Sequence, residues 1–399
     1  MIKKGLIYLL IFSAIIFHGY KKRFVLDRQF TIFKQSTFRI IANNIDTPEQ
    51  KIAIQNAFPS INFKEPTCLK FSQHTNENIL YVSEKSGKLY SINLSSTKLQ
   101  KRLLIDISKE TNTANFNGLL GFEIDVECKR IYLHYNSDKE TVQISVFESK
   151  SDYRKENKLL TINPVYHSGG TLVLDKEGSL FISIGDSRRI DSDNSAQDLS
   201  LLQGKLLKII PDTLEPEKYH IPKDNPFVKN GNKYREEIYA YGFRNPFRFS
   251  IDSNSNEIYL GDVGENEREE INRIHKGANY GWSLYEGNKP FKQKSYTSTL
   301  DITQPIYEYK HGLSGFSITC GMKYRGTNFP FLKGSLLYAD YVRGAIWTLS
   351  FKDPLKVTSK LLINNAGNIS SFSSNREGEV YFTDLTTGNI MKLIPDNSK

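Results

Sequence analysis

One histidine in this sequence stands where a ligand can approach the backbone closely. His167 is followed by Ser168, Gly169 and Gly170 and then by a strand-like apolar run at 171–174. Glycine has no Cβ to keep a ligand away from the main chain, and the near-neutral pKa of imidazole lets it take up a hydroxyl proton. The pattern favours His167 as a general base, with a purely structural histidine as the alternative.

A second polar stretch, residues 242–248, carries side chains that suit an oxygen-rich ligand. Arg244 offers a planar fork of donors that fits carboxylate or quinone oxygens, and the amide of Asn245 beside it both donates and accepts. We therefore expect this pair to contact a cofactor or ligand. We expect the nearby Arg248 to form an ion pair at the surface.

A third stretch is rich in carboxylates and turn residues. Residues 261–272 read GDVGENEREEIN, and residues 277–282 read GANYGW. Carboxylate and carbonyl oxygens are the ligands that calcium selects, so a cation site is chemically reasonable here. The spacing is not that of an EF-hand, and a solvated acidic loop is the alternative.

The elements that position these residues follow a repeat. Six short runs share an apolar residue, an aromatic or second apolar residue, further strand residues and usually an acidic group: 79–84, 131–135, 180–186, 258–262, 337–340 and 380–384. Three glycine-led strands complete hairpins at 87–92, 344–349 and 388–393. Repeated hairpins of this kind are typical of radial β-architectures. We predict an all-β fold, a six-bladed β-propeller of four-stranded antiparallel blades over residues 58–396, with a large β-sandwich or two barrels as the alternatives.

Composition narrows the function. Among 399 residues, 53 Lys and Arg against 44 Asp and Glu give a formal net charge of +9. The basic residues are scattered and form no block interleaved with stacking aromatics, so we expect no nucleic-acid partner. Cys68, Cys128 and Cys320 form no CxxC pair, which argues against a zinc site or a disulfide framework; we expect buried thiols, with one disulfide left open.

The amino terminus has the layout of an export signal. Lys3 and Lys4 precede an apolar run from Gly5 to Phe17, the order of the charged and apolar regions of a signal peptide. The run is about 13 residues, shorter than the ~20 that span a bilayer comfortably. We expect residues 1–23 to be a signal peptide or a short membrane anchor, residues 24–57 to be a connector, and the protein to be exported, periplasmic or extracellular.

Several segments, taken in order from about Phe58 to the carboxyl end, resemble one known family. They are GLLG at 118–121, HSGG at 167–170, IGD at 184–186, the stretch 239–252, the acidic stretch 261–272 and NYGW at 279–282. Their order and number resemble the glucose/sorbosone dehydrogenase family. This family includes soluble quinoprotein glucose and aldose sugar dehydrogenases and hedgehog-interacting-protein-like proteins.

The resemblance implies a function and a set of site residues. It implies oxidation of aldose sugars to lactones with pyrroloquinoline quinone (PQQ) and Ca²⁺, and an electron acceptor as a further partner. His167 falls at the family's general base, which takes the proton of the anomeric hydroxyl while hydride passes to the quinone. By the same resemblance, Arg244 and Asn245 contact the cofactor. The carbonyls of Gly264 and Glu265 hold its calcium, and Glu270 with the backbone of Tyr280 holds a structural calcium.

The sequence also departs from the family. Phe116 stands where the dehydrogenases typically have a glutamine, and Val342 replaces a lysine that contacts the quinone in some members, with Arg343 as a substitute. Segments 305–309, 312–326 and 340–341 look closer to the hedgehog-interacting-protein-like branch. These departures leave open a non-catalytic, calcium-binding propeller that binds carbohydrate or protein. A propeller hydrolase is disfavoured because the sequence shows no obvious partner for His167.

Overall fold

A computed structural model describes residues 52–72, 78–187, 194–229, 231–291, 301–353 and 356–396, together with residues 35, 38–40, 42, 43 and 48. The chain divides into two compact units, residues 1–47 and 48–399. In the first unit the described residues are helical. The expected signal or anchor at 1–23 lies outside the described residues. No helix among the described residues combines the length and apolarity that a membrane crossing needs.

The second unit consists of β-strands with two short 3-10 helices, Ser149–Ser151 and Pro330–Leu332. In chain order the strands are β1 (Ile52–Asn56), β2 (Pro66–Phe71), β3 (Ile79–Glu84), β4 (Lys88–Asn93), β5 (Arg102–Asp106), β6 (Leu119–Asp125), β7 (Arg130–Asn136), β8 (Val142–Glu148), β9 (Glu156–Ile162), β10 (Leu172–Leu174), β11 (Leu180–Ile184), β12 (Lys205–Pro211), β13 (Tyr219–His220), β14 (Ile238–Tyr241), β15 (Pro246–Ile251), β16 (Ile258–Asp262), β17 (Arg268–Ile274), β18 (Tyr285–Glu286), β19 (Lys289–Pro290), β20 (Tyr307–Lys310), β21 (Ile318–Lys323), β22 (Leu336–Asp340), β23 (Ala345–Asp353), β24 (Lys356–Ile363), β25 (Ile369–Ser374), β26 (Val380–Asp384) and β27 (Ile390–Pro395).

All but β18 and β19, which pair as a separate hairpin, form six antiparallel blades. Blade one is β2–β5, blade two β6–β9, blade three β10–β12 with β13 and β14, blade four β15–β17 with β20, blade five β21–β24, and blade six β25–β27 with β1. The predicted six-bladed β-propeller is confirmed, and the sandwich and two-barrel alternatives are wrong. Each of the six repeated runs in the sequence is the second strand of a blade.

The ring closes through the amino-terminal strand. β1 pairs with β27 in antiparallel register, from Ile52 opposite Pro395 to Asn56 opposite Met391. The propeller therefore begins at residue 52, and the expected connector ending at residue 57 reaches too far. Pairing β1 with β27 of the last blade covers strand edges that would otherwise stay exposed. The short strand β1 therefore closes the ring.

Apolar side chains pack between neighbouring blades. The second strands of the blades are largely buried, and so is the third strand β8, where all of the residues are buried. Two of the three cysteines, Cys68 and Cys320, are buried free thiols as expected, whereas Cys128 is exposed and free. The burial holds each blade against the next and fixes the ring on which the site is built.

The first strand of every blade lies next to the propeller axis. Neighbouring inner strands contact each other around this axis in the pairs β2–β6, β6–β10, β15–β21, β21–β25 and β25–β2, and β11 contacts β15 between blades three and four. Because four antiparallel strands return the chain to the end from which it started, the loops that lead into these inner strands gather at one end of the propeller. We call this end the mouth. His167, Arg244, Asn245 and Phe116 all lie in these loops.

Candidate active site

Five blades share one side-chain-to-backbone hydrogen-bonding arrangement at the mouth. The last residue of the second strand is an acid or amide, and its side chain accepts a backbone N–H from the loop that leads into the inner strand of the same blade. The pairs are Glu84 with Lys64 at 2.9 Å, Asn136 with Gly118 at 3.2 Å, Asp262 with Arg244 and Asn245 at 2.9 and 2.6 Å, Asp340 with Phe316 and Ser317 at 2.7 Å each, and Asp384 with Asn368 at 3.0 Å. The carboxylates and the amide fix the loops of the mouth.

Blade three departs from this hydrogen-bonding arrangement. Here the backbone N–H groups of Tyr166 and His167 donate to the main-chain carbonyl of Asp186, at 2.9 and 3.2 Å. The Asp186 carboxylate is thereby available for side chains. It lies 2.6 Å from Nδ1 of His167 and accepts the indole N–H of Trp282 at 2.9 Å. The expectation that His167 has no obvious partner is wrong, because Asp186 is that partner.

The His167–Asp186 pair orients the imidazole. Asp186 is wholly buried, and the side chain of His167 is 14% exposed. Because Nδ1 is engaged by the carboxylate, Nε2 is the ring nitrogen left to take a proton from a ligand. The backbone that carries the ring needs glycine: Gly169 has φ +68°, and a Cβ there would lie 2.3 Å from the carbonyl oxygen of Ser183.

The charge state of His167 suits a base. Burial lowers the pKa of His167 well below its usual value, the positive charge of Arg244 lowers it further, and the negative charge of Glu265 opposes them. The ring is therefore neutral at pH 7 and can accept a proton. The ring of Tyr166, itself half-exposed, packs edge-on against it at 4.7 Å between centroids.

Arg244 and Asn245 lie beside this pair. The Arg244 guanidinium donates to the Val263 carbonyl at 2.9 Å and pairs with the Glu265 carboxylate. Its carbon Cζ lies 5.7 Å from the centre of the Trp282 ring, and Trp282 in turn contacts Asp186. The Asn245 side-chain oxygen accepts the N–H of Gly169 at 3.3 Å. The structure thus brings His167, Arg244, Asn245 and Glu265 into one group.

One donor of this group is unused. Among the described residues, Nε of Arg244 is buried and has no hydrogen-bond partner. A buried donor without an acceptor is costly, and a ligand oxygen would satisfy it. The residues at this point therefore fit an oxygen-rich cofactor such as a quinone carrying carboxylates.

The turn at 264–268 is fixed by a single carboxylate. Glu286 accepts the backbone N–H groups of residues 265, 266, 267 and 268 at 2.8–3.1 Å. A side chain at Gly264 is excluded because its Cβ would lie 1.7 Å from the Arg268 carbonyl oxygen. The turn is therefore held in shape by the protein itself.

A row of carboxylates crosses blade four. Asp262, Glu270 and Glu308 face one another across β16, β17 and β20. Burial raises the pKa of Asp262 to about 7; burial and then the charges of Asp262 and Glu308 raise the pKa of Glu270 well above its usual value. Within the part of the chain that the structure describes, Oε2 of Glu270 and both polar side-chain atoms of Asn272 have no hydrogen-bond partner.

This row fits a cation only in company with other oxygens. No group of three or more His, Cys, Asp or Glu side chains among the described residues has the arrangement of metal ligands. Calcium also accepts amide and backbone carbonyl oxygens, and Asn272 offers one beside Glu270. Tyr280 is anchored by its ring, which stacks on Phe243 at 4.9 Å, and by its hydroxyl, which donates to the Arg273 carbonyl at 2.8 Å.

Three further expectations concern the side chains of Arg343, Arg248 and Phe116. Arg343, in the turn that follows β22 at the mouth, is wholly buried and donates to Asn364 at 2.8 Å, so its guanidinium is not exposed to a ligand as a substitute for the lysine. Arg248 is also buried and bonds to backbone carbonyls, so the expected surface ion pair is wrong. Phe116 is 73% exposed and presents a hydrocarbon ring where the family has an amide.

Comparison with known proteins supplies a family. Residues 63–392 match the family model described as glucose/sorbosone dehydrogenase. The HIPL2 protein of Arabidopsis thaliana is 36% identical over 214 residues, which cover 48% of this chain and 31% of that protein. Aldose sugar dehydrogenase YliI of Escherichia coli is 30% identical over 262 residues, 63% of this chain and 66% of that protein. The chain thus spans about a third of the length of the plant relatives it matches.

A solved structure supports the fold. The PQQ-bound form of aldose sugar dehydrogenase from Streptomyces coelicolor superimposes with a TM-score of 0.66 and 17% identity, covering 87% of this chain and 99% of that one. At this identity the likeness concerns the architecture.

Proposed function

This chain belongs to the glucose/sorbosone dehydrogenase family, and on that premise we propose that it oxidises aldose sugars to lactones with PQQ and calcium, outside the cytoplasm, and passes the electrons to an acceptor. The family includes PQQ-dependent aldose sugar dehydrogenases, which makes sugar oxidation the general expectation. One observation carries the proposal for this chain: the neutral imidazole of His167, held by Asp186, lies beside Arg244 and Asn245 at the mouth.

The residues of the mouth divide the work. The hydride from C1 of the sugar would go to PQQ, which would supply the redox chemistry when bound at these residues. Nε2 of His167 takes the proton of the anomeric hydroxyl, and the Asp186 carboxylate holds the ring and stabilises the positive charge that develops on it. Arg244 and Asn245 would hold the quinone, with the unused Nε of Arg244 as a donor to one of its oxygens.

Calcium has two proposed places. The carbonyls of Gly264 and Glu265 would hold the ion that accompanies the quinone, in a turn whose shape Glu286 already fixes. Glu270 and the backbone of Tyr280 would hold a structural ion. The buried, unbonded Oε2 of Glu270 supports the second place, because a cation beside it would offset the cost of an unpaired buried carboxylate.

Location follows from the amino terminus. The charged and apolar order of residues 1–23 supports export, with the segment acting as a signal peptide or as a tether to the membrane.

A second candidate is a calcium-binding propeller that binds carbohydrate or protein without turnover. The exposed ring of Phe116 favours it, because this position offers the quinone no polar atom. The burial of Arg343 favours it as well, since that guanidinium is not exposed to a ligand.

One titration separates the two candidates. Purified metal-free protein is titrated with PQQ in the presence and absence of calcium, by quenching of tryptophan fluorescence, and then assayed for dye reduction with a panel of aldoses. Saturable quinone binding with sugar-dependent reduction supports the dehydrogenase. Calcium binding without quinone binding supports the binding propeller and overturns the proposed activity.

A further inference from the structure

A buried arginine sits on the propeller axis below the mouth. Arg248, on the inner strand β15, is 5% exposed. Its guanidinium donates from Nε to the carbonyl of Ser370 at 2.8 Å, from Nη1 to those of Gly170 and Phe247 at 2.8 and 3.0 Å, and from Nη2 to those of Thr67 and Leu120 at 2.9 and 2.8 Å. The five N–H donors of one side chain are thereby all used.

The five carbonyls come from five different blades. Thr67 belongs to β2, Leu120 to β6 and Ser370 to β25, Gly170 lies at the start of blade three, and Phe247 lies on β15 itself. Each carbonyl stands at the mouth end of an inner strand. A flat group that reaches five inner strands at once must lie across the axis, so the guanidinium closes the central channel at this level.

The acceptors are neutral, yet the side chain stays charged. Burial lowers the pKa of Arg248 to about 10, which is still well above neutral pH. Placing a charge in the interior is expensive, and five charge-assisted hydrogen bonds to backbone dipoles offset that cost. A lysine has a single nitrogen with three donors and cannot span the same five carbonyls.

Two of these contacts reach the segments that form the site. Gly170, whose carbonyl Arg248 holds, is three residues after His167, and Arg248 is itself three residues after Asn245. Asn245 in turn accepts the N–H of Gly169. The contact between Gly170 and Arg248 is tight, because a Cβ at Gly170 would lie 3.2 Å from Nη1 of Arg248.

We propose that Arg248 is a positioning residue that sets His167 relative to Arg244 and Asn245 and seals the axis beneath them, so that the site opens only at the mouth. The proposal deepens the proposed function and rests on it only in treating His167 as the base. The positioning can be measured in the protein without cofactor, so its failure and the failure of the proposed activity are distinguishable.

The experiment compares two buried arginines. Arg248→Lys keeps a charge and loses the planar fork; Arg248→Gln loses both. The control is Arg130→Gln: Arg130 is 2% exposed, pairs with Glu148 and donates to the carbonyl of Thr213 at 2.8 Å, joining blades two and three away from the mouth.

The readout is the titration of His167 by NMR, with ¹³C-labelled histidine and the resonance assigned by its loss in a His167→Gln variant. The groups around this ring are Asp186, Arg244, Glu265 and Tyr166. Without Arg248 we expect water to reach the ring, and since burial is the main cause of its low pKa, the midpoint should rise by about one pH unit or more. Arg130→Gln should lower Tm without moving this midpoint.

Two results would overturn the proposal. One is an unchanged His167 titration in folded Arg248→Lys or Arg248→Gln protein; the other is an equal shift in Arg130→Gln. Hydrogen exchange of the wild-type protein gives a test that needs no variant. Peptides covering 165–174 should open no more easily than those covering β15, and an independent opening of 165–174 would contradict a segment clamped by Arg248.

Discussion

Blades three and four carry the same residue at the same place and use it differently. Asp262 is the last residue of β16, and Asp186 lies two residues after the end of β11, so both stand at the mouth end of the second strand of a blade. The Asp262 carboxylate accepts backbone N–H groups of the loop beside it, and the corresponding acids of blades one, five and six do the same. Asp186 serves the loop with its main-chain carbonyl instead, and its carboxylate bonds His167 and Trp282.

The difference shows how a repeated fold acquires a site. In blade three a carboxylate that elsewhere stabilises a loop instead orients the imidazole of His167, without a change in the architecture. In blade four the same position keeps its structural task, but its neighbour Glu270 has an oxygen, Oε2, without a hydrogen-bond partner among the described residues. The arrangement in blade three is complete in the protein alone, whereas the proposed structural calcium would supply a partner in blade four.

The largest expected effect is on blade three. His167→Gln should lower kcat for sugar oxidation by about 10²–10⁴-fold, the range for loss of a general base. The stability should change little, because glutamine can still donate to Asp186. The measurement is steady-state dye reduction with PQQ-loaded protein, alongside a thermal melt.

A matched control exists in the same blade. His220 also pairs with an aspartate, Asp212, at 2.8 Å, but its side chain is 66% exposed. His220→Gln should leave kcat unchanged. If His167→Gln retains full turnover, the base has to be sought elsewhere and the comparison between the blades loses its functional meaning.

The second prediction tests the Asp186 carboxylate. Asp186→Asn should lower kcat by roughly 10-fold or more, less than loss of the base itself, because the ring keeps its place but loses the anion that stabilises its charged form. Asp384→Asn is the control, since Asp384 accepts the N–H groups of Asn368 and Thr386 as a loop anchor. It should cost on the order of 1–3 kcal/mol of stability and leave kcat unchanged.

Kinetics and melting curves of the two variants decide the matter together. Equal losses of turnover in Asp186→Asn and Asp384→Asn would mean that Asp186 acts only as one more loop anchor.

The third prediction concerns the Glu270 carboxylate of blade four. In chelator, Glu270→Gln should be more stable than the wild type by on the order of 1–2 kcal/mol, because an unpartnered buried carboxylate is replaced by a neutral amide. With calcium at about 100 times its Kd, the wild type should gain about 2.7 kcal/mol. The variant should gain much less, so the order of the two melting temperatures should invert.

Its neighbour in sequence provides the control. Glu269 is wholly buried too, but it accepts from His311 at 2.7 Å and from the N–H of Ile318 at 2.9 Å. Glu269→Gln should destabilise the protein with or without calcium. A Glu270→Gln protein that responds to calcium as the wild type does would remove Glu270 from the proposed ligands.

The repeat was largely predictable from the sequence. The second strands have a pattern of their own because they are largely buried and lead into an acid or amide at the mouth, and all six were recognised. β1 was missed since a strand that closes a ring is defined by its partner β27, which lies at the other end of the chain. Pairing across such a distance leaves no local signal.

The site was predictable in its residue types and not in its connections. His167, Arg244 and Asn245 stood out through neighbouring glycines and a polar cluster. The bond from His167 to Asp186 did not, because the four equivalent acids and the amide of Asn136 anchor loops instead, and only the backbone geometry of blade three decides between the two uses. The prediction for Arg248 was wrong for a related reason. A charged residue is normally exposed, and nothing in the neighbouring sequence indicates that five carbonyls converge on the propeller axis.

A further expected effect is the pH dependence of stability that Glu270 contributes. The raised pKa of Glu270 means that, above the ordinary carboxyl range, the folded state retains a proton that the unfolded state has lost. Stability of the calcium-free wild type therefore falls as pH rises through this window, by up to about 1.4 kcal/mol per pH unit for one proton. Glu270→Gln lacks this titration, so the stability difference between the variant and the wild type should widen from pH 5 to pH 8.

The difference in stability between Glu270→Gln and the wild type contains no contribution from the histidines. Burial lowers the pKa of His134 to about 4 and that of His167 as well. Both therefore reduce stability as pH falls below the ordinary histidine range, but they do so equally in the two proteins. Urea unfolding in chelator at four pH values gives the difference directly. A constant difference would mean that Glu270 is already charged at pH 5 in the folded protein, and the contrast between a complete blade three and an incomplete blade four would fail.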